Sequence, residues 1–239
     1  MAVIAQRNGV RVVAFQKCGH TSIINMFLTP ADMPLVRGTA PALRSDDAYR
    51  GYAEDTQDWP EPELTLAFFR NPLIRALSAY EQFIVRGIQR PLASPVISFG
   101  DDHVVAPGVP SLGRQSFTDL GFTADMEFKD FCLHLRNIDL NADNHLKPQA
   151  TSYMQAYGNP GQVYSGQLEQ LDITWPLLVD QYGLNCTKEV PQYNAAKYET
   201  KDRLTGVHLD LFKKLYAQDY RFWEASHFEA RAPLSSVCH

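Results

Sequence analysis

The sequence predicts an α/β protein, with a central parallel sheet flanked by helices in a single domain spanning residues 1–239. Two strand–turn–helix units carry that prediction. In the first, the apolar run Val10-Arg11-Val12-Val13-Ala14 leads through Phe15-Gln16-Lys17-Cys18-Gly19-His20 into a helix that starts at Thr21 or Ser22. In the second, Leu66-Ala67-Phe68-Phe69 ends at Arg70 and passes through Asn71-Pro72 into an amphipathic helix. The third observation is length: 239 residues suffice for one domain with a sizeable core.

The elements follow in order. The first strand is expected at 10–15, and its helix at 21–28, stopped before Thr29-Pro30. Residues 30–62 hold several prolines and a cluster of acids, with one short strand near Leu35-Val36-Arg37. A strand at 64–69 precedes a helix at 72–86, where Asn71 is a good N-cap and Pro72 sits at N1, costing no hydrogen bond. Leu73, Leu77, Tyr80 and Ile84 mark one face of that helix, and Arg75 is expected at its surface. Residues 87–120 contain Pro91, Pro95, Pro107, Gly108 and Pro110, too many breakers for regular elements, and are read as a lid. A helix at 126–136 places Phe128, Phe131, Cys132 and Leu135 together. A short strand at 163–165, a helix at 171–182 ended by Gly183, and one long amphipathic helix at 204–225 complete the chain.

Composition limits the function. Hydrophobic residues make up 45% and charged ones 21%, ordinary for a globular protein. A net charge of −5 argues against a broad nucleic-acid surface. No window approaches the about 18 apolar residues of a membrane span, and Arg7 and Arg11 interrupt the N-terminal apolar stretch, unlike a signal peptide. A cytoplasmic setting is expected. The four cysteines lack metal-ligand spacing, and no metal site is predicted.

The first turn has the makings of a phosphate cradle. Helix-start N–H groups from Gly19 to Ser22 point at a ligand, the hydroxyls of Thr21 and Ser22 add donors, and Lys17 adds a point charge. Cys18 and His20 lie within the same loop and are expected to face the ligand with it. Arg70 stands at the carboxyl end of its strand, where open α/β sheets bind ligands, and Ser78 is polar among apolar neighbours on the following helix. An arginine fork with a hydroxyl suits a phosphate monoester.

Taken together, Lys17-x-Gly19-x-Thr21-Ser22 and Arg70-Asn71-Pro72-(x)2-Arg75-(x)2-Ser78-Ala79-Tyr80 resemble the two phosphate-binding elements of the sulfotransferases, in the branch that modifies carbohydrates. His145-x-x-Pro148-Gln149, Gly166-x-x-Glu169-x-Leu171, the late loop around Asn194 and Tyr216-x-x-Asp219 are similar to later segments of that family, in the same order. Gln16 departs from the family's usual proline, and His20 from its usual small residue.

The resemblance implies a P-loop-like nucleotide-binding core and the donor 3′-phosphoadenosine 5′-phosphosulfate (PAPS), whose sulfuryl group passes to an acceptor hydroxyl, on a carbohydrate by preference. Lys17 would neutralise the leaving phosphate, while Gly19 to Ser22 would hold the 5′-phosphosulfate. Arg70 and Ser78 would clamp the 3′-phosphate, and Asn194 and Lys197 would fold over the nucleotide. The general base stays open among His145, Glu54 and Asp47. Glu169 is expected to organise backbone or an arginine rather than perform chemistry. A nucleotide or small-molecule kinase and a non-catalytic nucleotide-binding scaffold are the competing readings. The sequence lacks the G-x-x-x-x-G-K-[ST] motif that would favour the kinase.

Overall fold

Asn8 and Gly9 both take positive φ, 49° and 75°, as a two-residue type I′ hairpin turn requires. They join β1 (Ala2–Arg7) to β2 (Val10–Phe15) as an antiparallel pair. The strand expected first is therefore the second of a hairpin. Asn-Gly between two apolar runs is the signal that identifies it.

The structure, a computed structural model, describes residues 2–32, 48–52, 60–89, 117–155, 162–190 and 206–226. After β2 come α1 (His20–Leu28), β3 (Ala48–Tyr52), β4 (Leu64–Phe69) and α2 (Pro72–Tyr80), which runs on as a π-helix (Glu81–Gln89). Then follow α3 (Phe128–His134), α4 (Gln149–Gln155), β5 (Gln162–Gln167), α5 (Leu171–Tyr182), α6 (Gly206–Leu215) and α7 (Ala217–Ala225).

The sheet order is β3-β1-β2-β4-β5. β2, β4 and β5 run parallel, whereas β1 is antiparallel to both β2 and β3. The expected parallel sheet is thus corrected to a mixed one. A two-residue loop can only join antiparallel strands, so the hairpin fixes the direction of β1.

Three helix expectations also change. The helix expected at 72–86 widens to π geometry after Tyr80. The single helix expected at 204–225 is two, broken at Tyr216 (φ −111°, ψ 31°), whose hydroxyl donates to the Leu146 carbonyl at 2.8 Å. The helix α4 lies where none was expected. By contrast, Gly183 ends α5 with φ 59°, and the Glu127–Asp130 capping box starts α3.

Side chains alternate across the sheet with the period of two that strands impose. Val12, Ala14, Leu66 and Phe68 face α1 and α5, packing on Ile23, Phe27, Trp175 and Leu178. Val13, Phe15, Ala67 and Phe69 face the other way, onto Tyr153 of α4 and Phe222 and Trp223 of α7. Both faces are covered, which explains why β2 and β4 read as continuous apolar runs. A third apolar cluster joins α2, the π-helix, α3 and α6 around Phe83, Phe117, Phe131 and Phe212. No helix among the described residues is long and apolar enough to cross a membrane. The strand expected near 35–37, most of the lid at 87–120, and Cys238 lie outside the described residues.

Burial governs the thiols. It pushes Cys18 up to about 11, and Cys132 and Cys186 up to about 12, from an ordinary 9.0. Each folded thiol keeps its proton after the unfolded chain has lost it. Stability should therefore fall as pH rises through 9 toward 11, where the unfolded state binds fewer protons. The urea midpoint, measured in reductant, should drop between about pH 8 and about pH 10. A midpoint that holds or rises over that interval would contradict the burial of these groups.

Candidate functional site

The turn between β2 and α1 is tight and strained. Cys18 N donates back to the Phe15 carbonyl at 3.0 Å, and Lys17 takes the left-handed conformation with φ 63°. That conformation costs a non-glycine residue about 1–2 kcal/mol, and such strain concentrates at functional positions. Gly19 caps α1 with φ 65° and ψ 25°. A glycine cap supplies no side-chain acceptor, the arrangement in which a helix start takes an anion.

The ammonium of Lys17 donates to Gln82 Oε1 and lies 5.7 Å from the centre of the Phe83 ring. Both partners belong to the π-helix, a rare geometry frequent at functional sites. Cys18 turns the opposite way. Its amide is used in the turn, and its fully buried thiol donates to Gln149 Oε1 at 2.9 Å. Cys18 is therefore corrected from a ligand-facing residue to one that packs behind the cradle. His20 opens α1 partly buried, Thr21 follows it in the helix, and Ser22 is 9% exposed.

Arg70 follows β4, the parallel neighbour of β2, so the two strand ends lie side by side. Its Nη1 donates to the Lys17 carbonyl at 2.6 Å. Asn71 caps α2 as the sequence predicts, its Oδ1 accepting from Leu73 N at 3.0 Å and Ile74 N at 3.3 Å, with Pro72 first in the helix. Ser78 lies partly buried on the second turn of α2.

Arg75 is not the surface residue expected. It is 3% exposed, and its guanidinium donates to three carbonyls: Gln16 at 3.0 Å, Asn144 at 3.3 Å and Lys147 at 2.8 Å. It therefore ties the Lys17 turn to the segment that carries His145. Its position was legible, because Pro72, Arg75, Ala76 and Ala79 share one helical stripe and all are buried.

His145 lies at the same centre. Its Nδ1 is 2.9 Å from Asp143 Oδ1, and its ring centre is 4.5 Å from that of Phe83. Lys17 and His145 thus both border the Phe83 ring. Asp143, Gln82 and Phe83 are absent from the sequence expectations. Asp-x-His in a loop was the available signal for Asp143; nothing in the sequence marked Gln82.

A buried polar network supports this arrangement from below. Gln149 is fully buried; its Oε1 accepts from Arg70 N at 2.9 Å and its Nε2 donates to Arg70 O at 2.9 Å. Asp219, also fully buried, accepts from Gln149 N at 2.8 Å and Ala150 N at 2.9 Å, capping α4. Burial pushes the Asp219 carboxyl up, opposed by the Arg75 charge and these amide donors. Glu169 accepts from Asn71 N at 2.9 Å and Trp223 Nε1 at 3.0 Å, the backbone-organising role expected of it.

The described residues therefore bring Lys17, Arg70, Arg75 and His145 into one centre at the carboxyl ends of β2 and β4. Glu54, Asp47, Asn194 and Lys197 lie outside the described residues. No group of three or more His, Cys, Asp or Glu side chains among the described residues could hold a metal ion. Compared with known proteins, the chain matches no family model, no curated protein and no solved structure.

Proposed function

We propose that this chain is a sulfotransferase that moves a sulfuryl group from PAPS to an acceptor hydroxyl, with a carbohydrate as the favoured acceptor. The observation that carries the reading is the 2.6 Å contact from Arg70 Nη1 to the Lys17 carbonyl. It sets the guanidinium that follows β4 against the main chain of the turn after β2, the turn that carries Lys17. Two cations and a glycine-capped helix start at adjacent parallel strand ends suit a ligand with phosphates at two places.

In this reading β2, its turn and α1 serve as a P-loop-like core. The first turn of α1 takes the 5′-phosphosulfate, with Thr21 and Ser22 in that turn. Lys17 neutralises charge as it builds on the leaving phosphate oxygen, and Gln82 fixes the ammonium in place beforehand. Arg70, with Ser78, selects the 3′-phosphate through charge-assisted bonds. His145 serves as the general base. The carbohydrate preference rests on the likeness of the Lys17 and Arg70 segments to the carbohydrate branch of the sulfotransferases.

Labelled sulfate transfer from PAPS to a panel of glycans tests the activity itself. Binding tests the selection step. Arg70→Ala should weaken adenosine 3′,5′-bisphosphate by about 1.5–3 kcal/mol, and leave AMP binding nearly unchanged. Equal losses for both ligands would mean that Arg70 only supports the Lys17 turn.

A further inference from the structure

Asp143 and His145 are two residues apart in a loop that Arg75 holds against the Lys17 turn. We propose that Asp143 is the positioning carboxylate of an Asp143–His145 pair whose Nε2 removes the acceptor's proton, an assignment that rests on the transferase reading above.

The geometry favours one tautomer. An ionised carboxylate only accepts hydrogen bonds, so the 2.9 Å contact places the imidazole N–H on Nδ1 and leaves the lone pair on Nε2. Among the described residues Nε2 takes no hydrogen bond, and the His145 side chain is 23% exposed against 7% for Asp143. The carboxylate is thus the sheltered partner and the imidazole the accessible one, the order that a base and its orienter require. The same Oδ1 accepts the His145 amide at 2.7 Å, which fixes the main chain of His145 as well as its ring. The Phe83 ring packs beside the imidazole at 4.5 Å and lies 5.7 Å from the Lys17 ammonium. Base and leaving-group cation therefore border one aromatic ring.

The step balances without a further reactant. The acceptor O–H proton moves to His145 Nε2 as its oxygen bonds to sulfur. The bond from sulfur to the bridging phosphate oxygen breaks, and that electron pair stays on the phosphate beside Lys17. His145 becomes an imidazolium, stabilised by the Asp143 carboxylate, which itself keeps no proton.

A purely structural Asp143 is the competing account, because its carboxylate also accepts the His145 amide at 2.7 Å. Two readouts separate the accounts. Nitrogen-15 spectra of the neutral His145 ring should report the Nδ1–H tautomer in the unmodified chain and its loss in Asp143→Asn. Asp143→Asn should also lower kcat by about 100-fold, with KM little changed and the thermal midpoint retained. In a His145→Ala background the same substitution should cost nothing further, since the two residues act as a unit. An Nε2–H tautomer in the unmodified chain, or kcat losses that simply multiply in the double variant, would overturn the pair while leaving the transferase reading intact. Failure of the unmodified chain to transfer sulfate to any acceptor would instead sink that reading, and the pair's role with it.

Discussion

Lys17→Ala should lower sulfate transfer by about 10²–10³-fold, the scale of removing one preorganised stabiliser of developing charge, with the fold intact. The ammonium is held by Gln82 beside Phe83, whereas main-chain contacts through Cys18 N and the Lys17 carbonyl close the turn. Substitution leaves those main-chain contacts in place. Lys17→Gly sharpens the test. At φ 63° glycine avoids the steric cost that lysine and alanine both bear. The glycine variant should unfold at a urea midpoint equal to or above that of Lys17→Ala, and be equally poor in transfer. Near-normal transfer by either variant would remove Lys17 from the mechanism. Lost transfer together with a large loss of stability would make Lys17 a scaffold residue instead.

Arg75→Leu should cost about 3–5 kcal/mol of stability, because it strips three carbonyls of their shared donor at a buried position. The fall in urea midpoint measures it. Arg75→Lys keeps the charge but cannot reproduce a planar fork that reaches Gln16, Asn144 and Lys147 together. It should fold more stably than the leucine variant yet still transfer poorly, since the Lys17 turn and the His145 segment would no longer be held in register. A change in midpoint no larger than that of an exposed substitution would show that the guanidinium contributes nothing to the centre.

What the sequence made legible divides along physical lines. The β2 and β4 runs were readable because both faces of those strands are buried, so apolar residues follow one another without alternation. The caps at Asn71 and Gly183 were readable because their chemistry is local. The antiparallel β1 was signalled by Asn8-Gly9 and obscured by Arg7. The break at Tyr216 was hidden because Phe212 and Tyr216, which pack together, keep the helical spacing across the interruption.

At the site, Lys17 and Arg70 could be singled out because each stands alone as a cation at a strand end. Arg75 and Asp143 could not be given their roles, since these depend on carbonyls and a ring nitrogen brought in by the fold. The contact between Gln149 and Asp219 joins two segments 70 residues apart. The sequence marks each of them separately but not their meeting. The inward turn of Cys18 follows from backbone direction in a four-residue turn, which composition does not specify.

Ligand-induced thermal stabilisation tests the central claim most directly, by comparing adenosine 3′,5′-bisphosphate, AMP and ATP with magnesium on the same chain. A site built from the α1 helix start, Lys17 and Arg70 should bind the bisphosphate most tightly, and so raise the midpoint most with that ligand. Greater stabilisation by ATP with magnesium would contradict the sulfotransferase account and favour phosphoryl transfer, and no stabilisation by any of the three would contradict a nucleotide site at this turn.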